Sequence, residues 1–451
     1  VDGGIAENVV FYNNHIHPYD MVPPDVIAEP DRCGVGIAAR SNRVWIVDNH
    51  IHHLSGDCVG AGHAAGYTAR NYYIGRNIIH DTSENAVDLK EVENIVVSEN
   101  IMYNYAGGSS GQVDGVAIVL HYGPTYSPKN TWVLYNEIYN CNGTGIQVGG
   151  DQEHPVYIIG NIIHDISNGI VQAYMFESFD LGGEFIFSKL LQKGYVNAEG
   201  EVNPSFTGLE NEFKSWFPPD YDQFSYIENV LNRTLNSQET ATGYRSWGCQ
   251  AVYMINNVFY NNNNGIRHNA MGSASPLILY NNIISKISDD GYHLFPGGDT
   301  PNRAVAEISY NIFFQPGGQA RIIWGGTTYN LSQFQQNTGK GEGCLDADPL
   351  FVDPDNNNFS LQPGSPAIDA GIEHSIYQLF QDTFGLDIRV DYEGRTRPQG
   401  SGWDIGAYEY TLLPVAVIQN EPKQGYTPLN VSFDGSQSKS PHGDIVSYEW
   451  D

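Results

Sequence analysis

Short apolar runs that end on an asparagine recur along most of this chain. The phrase Asn-x-apolar falls at Asn14, Asn49, Asn77, Asn100, Asn136, Asn161, Asn257, Asn282 and Asn311, at steps of 23 to 36 residues except for one of 96. A turn and a further short strand usually follow, at 34–39, 58–62, 86–91, 116–121, 145–149, 169–173 and 265–269. The stretch from Asn85 to Asn100 shows the unit most clearly. Val87 and Leu89 alternate with Asp88 and Lys90, so the apolar pair points one way and the charged pair the other. Ile95 and Val96 then open a strand that closes on Asn100.

A variable period of this size, built on β-rich runs around an asparagine, predicts coils that stack and bury their inward alternate residues. The expected fold is all-β: a right-handed parallel β-helix, with each turn asparagine extending a side-chain hydrogen-bond ladder up the stack. A β-propeller fits poorly, because its blades need about 40 or more residues each. Three residues past the repeated asparagine stand His17, His52, His80, Tyr103, Tyr139, His164 and Tyr260. A shared repeat position implies a shared structural duty. These rings are expected to form a stacked column at a turn, which leaves His63, His121, His268 and His293 as the histidines open to chemistry.

The step of 96 residues contains an insertion over 176–247, rich in aromatics and carboxylates and broken at Trp216-Phe217-Pro218-Pro219. The pattern changes again at Asp348, and the chain divides into a β-helix over 1–345, a closing segment over 346–411 and a further module over 415–451. The motifs Asp348-Pro-Leu-Phe-Val-Asp353, Leu361 to Gly371 and Asp404-Ile-Gly-Ala-Tyr-Glu-Tyr410 resemble the closing segment of secreted bacterial β-helix proteins. Pro428-Leu-Asn-Val-Ser-Phe-Asp434 and Ser447-Tyr-Glu-Trp-Asp451 resemble the first half of a PKD domain, an Ig-like β-sandwich truncated here in mid-strand. The resemblance implies secretion and a polysaccharide partner.

Composition narrows the partners. Lys and Arg total 22 against 52 Asp and Glu, a formal charge of −30, which repels nucleic acid and anionic membrane. No apolar run is long enough to span a bilayer. No signal peptide opens the chain, which starts inside a coil, so the natural protein is expected to begin earlier. A monomer is expected. The five cysteines lack metal-binding spacing; Cys33 and Cys58 on neighbouring coils either pair or remain buried thiols.

Aligning Ser41-Asn42-Arg43-Val44 with Glu93-Asn94-Ile95-Val96 sets Gly36 and Ala38 under Asp88 and Lys90. Gly60 and Gly62 take the same outward places in the intervening coil. Val119 and His121, then Gln147 and Gly149, and later Arg267 and Asn269 follow on the other side. Small residues beside a charged pair let a polymer approach the backbone and predict a shallow groove across the strands. Gly60, Gly62, His63, Tyr122, Gln147 and Arg267 are its candidate substrate-binding residues.

The coil Asp88-Leu-Lys90-Glu-Val-Glu-Asn94 is similar to the lysine-bearing coil of β-helix polysaccharide lyases, both the alginate lyase and chondroitinase B group and the calcium-dependent pectate lyases. The resemblance implies β-elimination on a uronate polymer with Lys90 as base; Asp88 stands beside it, and His121 on the next coil is the candidate acid. The resemblance also implies Ca²⁺ held by Asp88, Glu91, Asp114 and Asp151. The sequence departs from that group in having His121 and Tyr122 on the next coil where an arginine is expected. Two alternatives stay open. One is a glycoside hydrolase using carboxylates on adjacent coils, Asp88, Asp114 and Asp151. The other is a glycan-binding or adhesive β-helix without catalysis, and an ordinary salt-bridged surface lysine fits that reading.

Overall fold

The structure is a computed structural model. It describes residues 5–18, 33–37, 40–61, 69–90, 92–105, 115–121, 129–141, 143–148, 155–166, 171–173, 251–267, 277–295, 306–411, 419–421, 432–434, 436 and 447, with backbone alone for Lys90, His121, Lys129, 171–173, 419–421 and Phe433. Each coil gives one short strand to each of three sheets, and the strands stack in parallel as a right-handed β-helix. Among the described residues the first sheet holds nine strands from Ala6–Tyr12 to Glu307–Ser309, and the second nine from His15–Ile16 to Ile312–Phe314. The third has ten, from Val35–Ile37 to Ile322–Trp324 and Thr327–Tyr329; that last pair is antiparallel.

The asparagine repeat makes the bend between the first and second sheets. The residue before each ladder asparagine adopts a left-handed conformation, as at Asp48, Arg76, Glu99 and Tyr135 with φ of 58°, 54°, 57° and 54°. This turns the amide of the next residue inward. The backbone N–H of Asn77 donates to Asn100 Oδ1 at 3.0 Å, and its Nδ2 donates to the same oxygen at 2.9 Å. The pattern repeats from Asn14 through Asn311, where the last N–H meets Cys344 Sγ at 3.3 Å. Every ladder asparagine after Asn14 is buried, so each polar group removed from water is matched within the stack.

The ring column is present, with two details differing from expectation. His17, His52, His80, Tyr103, Tyr139 and His164 stack face to face at centroid spacings of 5.3, 5.1, 4.6, 4.9 and 5.0 Å. From His52 onward they lie within strands of the second sheet rather than at a turn, because the bend is already complete at the asparagine. The anchoring alignment is also one residue out in the first sheet. There Asn42, not Ser41, shares a register position with Glu93 through Arg70. The third-sheet alignment holds nonetheless, because the link from Asp88 to Glu93 is one residue shorter than that from Gly36 to Asn42.

The core runs through the stack as one cluster, and helix α1 (Leu331–Thr338) sends Leu331 and Phe334 into its last layer. Residues 346–411 pack along the outside of the coils. Helix α2 (Ile376–Phe384) and Trp403 set Tyr377 and Phe380 against Trp132, Tyr157 and Ile255 on the first sheet. Phe351, Phe359, Ile405 and Tyr408 cover Ile162, Val258, Ile283 and Ile312 on the second. Arg397 and Glu409 form a fully buried ion pair at 2.7 Å inside this segment. Cys58, Cys141 and Cys344 are buried free thiols; Cys249 lies outside the described residues. So does the 176–247 insertion. In the 415–451 module the described strands are Gln419–Glu421 and Ser432–Asp434, paired antiparallel.

Candidate functional site

Strand Val87–Lys90 lies inside the third sheet with Val87 and Leu89 wholly buried in the core, which fixes Asp88 on the outward side of the strand. Register then gathers one outward column from residues far apart in sequence. Gly36 pairs with Gly60, Gly60 with Asp88, Asp88 with Val119, Val119 with Gln147, Gln147 with Gln172, and Gln172 with Arg267. Lys90 shares its register position with His121 on the next coil, as the sequence alignment predicts. The side chains of Lys90 and His121 lie outside the described residues, as do Gly62, His63, Glu91, Asp114, Tyr122 and Asp151 in full.

The two glycines leave the lower end of the column low. A Cβ added to Gly36 meets nothing within 4 Å, and one on Gly60 meets only Asp57, at 3.6 Å from Oδ2. Asp88 was expected to stand exposed on the surface, yet it is only 5% exposed. Side-chain alternation gives a residue its side of the strand, but what is folded over that side is set elsewhere in the chain.

Asp57 is the residue that sequence reasoning missed. Asn85 Nδ2 donates to Asp57 Oδ1 at 2.9 Å, and the Val116 N–H approaches Asn85 Oδ1 at 3.2 Å, so Asp57 and Asn85 are equivalent positions on adjacent coils. The signal was available: Asp57 precedes Val59 by two residues as Asn85 precedes Val87. The expected calcium set has one member, Asp88, among the described residues. Its register neighbours Gly60 and Val119 bring no oxygen-bearing side chain to it, so these residues do not by themselves build the oxygen-rich shell Ca²⁺ requires.

Arg267 closes the upper end of the column. Its guanidinium carbon lies 5.9 Å from the centroid of the Phe295 ring, on the next coil, and its Nε is buried with no hydrogen-bond partner among the described residues. Four register steps separate it from Asp88, roughly 19 Å along the stack. Arg267 and Asp88 therefore stand well apart on one column. Gln147 lies between them, half-buried.

Of the remaining histidines, His268 lies outside the described residues and His293 is sealed in. Its Nε2 donates to Phe314 O at 3.1 Å, and its Nδ1 accepts the Arg321 N–H at 3.1 Å. Burial holds its pKa down at about 4, and both nitrogens are committed, so it is structural. The outer face of the second sheet carries a group of histidines near its first coils. Burial, followed by neighbouring histidines, lowers His50 and takes His52 to about 4. A cavity of about 520 Å³ also opens between the first sheet and the closing segment, lined in part by Trp45, Tyr73, Val96, Phe380, Phe384 and Leu386. Local sequence pattern does not show it, because its two walls come from segments more than 240 residues apart.

Fold and site together define a right-handed parallel β-helix with an outward polar column on one sheet. Compared with known proteins, the chain matches no family model and no curated protein.

Proposed function

We propose that this chain is an extracellular polysaccharide-degrading enzyme, a lyase that cleaves a uronic-acid-containing glycan by β-elimination. The observation that carries the reading is the register of the third sheet. It pairs Lys90 with His121 on adjacent coils and sets Asp88 between Gly60 and Val119, with Gly36 open below. A polymer laid across parallel strands meets one residue from each coil in turn, and glycines let its backbone approach.

In this reading Lys90, as a neutral amine, removes the C5 proton of the uronate. The electron pair forms the C4–C5 double bond as the C4–O bond breaks, and His121 supplies a proton to the departing oxygen. Gln147 and Arg267 hold the chain further along, Arg267 as the partner for a sugar carboxylate. Gly62, His63 and Tyr122 belong to the same proposed groove. Calcium held by Asp88 with Glu91, Asp114 and Asp151 would supply positive charge to neutralise the sugar carboxylate.

A hydrolase is the second reading, favoured by one observation: Asp57 brings a second carboxylate to the glycine beneath Asp88. Two carboxyl groups flanking a glycosidic bond suffice for acid–base hydrolysis. The products separate the readings. Elimination leaves a double bond conjugated to the carboxylate, which absorbs in the ultraviolet; hydrolysis releases reducing ends without that absorbance. Alginate, pectate, glycosaminoglycans and neutral glycans, each with and without EDTA, form the test. Absorbance growing with one uronate polymer supports the lyase, and loss of it in EDTA assigns calcium to the reaction. Reducing ends alone would replace the lyase with the hydrolase, and neither signal would leave glycan binding.

A further inference from the structure

Six histidines crowd the outer face of the second sheet over its first three coils: His15, His17, His50, His52, His53 and His80. The polysaccharide reading uses none of them, and ring stacking accounts for only part of the arrangement. His15 and His50 are register partners, their rings stacked at 4.8 Å and 3°. His52 follows His50 on the same strand, both facing outward around the wholly buried Ile51, and the His50 and His52 rings stand 4.7 Å apart.

The nitrogens come closer than stacking requires. His15 Nε2 and His52 Nε2 are 2.6 Å apart, and His50 Nε2 and His80 Nε2 are 2.7 Å apart. His52 Nδ1 meets His53 Nδ1 at 2.6 Å, and His80 Nδ1 meets Asp81 Oδ2 at 2.5 Å. The Asp81 carboxylate accepts the Nδ1–H of His80, whose Nε2 faces His50 Nε2. A carboxylate–imidazole relay of this kind stands behind the imidazoles of many metal centres. One ligand nitrogen from each of His15, His50 and His52 lies within 4.8 Å of the other two. Two nitrogens bound to a tetrahedral ion at ~2.0–2.1 Å sit about 3.3 Å apart, so the 2.6 Å contact of His15 with His52 opens slightly to admit one. His15 is exposed, His50 half-buried and His52 buried, so a bound ion has protein on one side and an open position on the other.

We propose that His15, His50 and His52 form a site for one divalent transition-metal ion of the zinc class, which clamps the first coil to the second. Imidazole suits such ions and not Ca²⁺ or Mg²⁺, which take oxygen. The location fits a clamp. The end strand His15–Ile16 is two residues long, and Val10 and Tyr12 on the adjoining strand are 60% and 62% exposed. An ion held there ties the first coil to the second, because His15 and His50 are register partners on adjacent coils.

The test uses the untagged chain stripped of metal and titrated with Zn²⁺, and with Co²⁺ followed by its visible absorption. The expected result is one equivalent bound, a tetrahedral Co²⁺ spectrum, and a rise in the unfolding midpoint on adding Zn²⁺. His15→Gln and His50→Gln each weaken binding at least tenfold while circular dichroism stays unchanged. His17→Ala, in the same patch but outside the ligand set, binds as the parent does. The proposal is overturned if the stripped protein shows no saturable one-to-one binding. It is equally overturned if the two glutamine variants bind like the parent, or if His17→Ala loses as much as they do.

Discussion

The amide of Asn100 serves several partners at once. Its Oδ1 accepts two donors from Asn77, while its Nδ2 reaches Ile74 O, Ser98 O and Asn136 Oδ1 at 3.0, 3.0 and 2.9 Å. Asn100→Ala removes all of these and strands buried donors, which costs about 2–4 kcal/mol. Asn14→Ala, at the exposed end of the ladder, costs under about 1 kcal/mol. Urea midpoints of the two variants check this, and equal losses would contradict it. His293 supplies the pH counterpart. Its folded-state pKa of about 4 lies below the ordinary 6.5, so the unfolded chain takes up the proton first. Its contribution is complete above pH 6.5 and declines as pH falls toward 4, by roughly 3 kcal/mol in all. His293→Gln, measured across this range, should show that much less acid-linked loss than the parent.

At the scale of strands and sheets, the sequence made the repeat legible because one residue type recurs at one bend. The third-sheet column from Gly36 to Arg267 could be read in advance, since alternation and coil spacing fix register. The burial of Asp88 could not, because what lies over an outward position comes from other segments. Asp57 was missed because it sits in a turn, outside the strand positions being aligned. The covering of the first sheet by Tyr377, Phe380 and Trp403 was equally hidden, since nothing local couples them to Trp132. The open space over Gly36 yields a prediction about the groove. Gly36→Trp fills it with no atom within 4 Å of the new Cβ, so thermal stability should stay within about 0.5 kcal/mol. Polymer turnover should fall at least tenfold, while a short oligosaccharide confined to the Lys90 coil is affected less. Unchanged polymer turnover would place the groove elsewhere.

Across the whole molecule, a charge of −30 opposes a polyanionic substrate. On the proposed reading a uronate polymer is drawn in where cations gather, and Lys90 and Arg267 both belong to strands of the third sheet. Stacking is what gives two cations 177 residues apart a common surface. Their separation suits a long chain better than a single sugar. The most direct test is the rate at which Lys90→Ala forms unsaturated product from the best uronate substrate, measured beside the parent protein at equal unfolding midpoint. A loss of at least about 10²-fold is expected, the scale of a removed general base. A rate within twofold of the parent would contradict it.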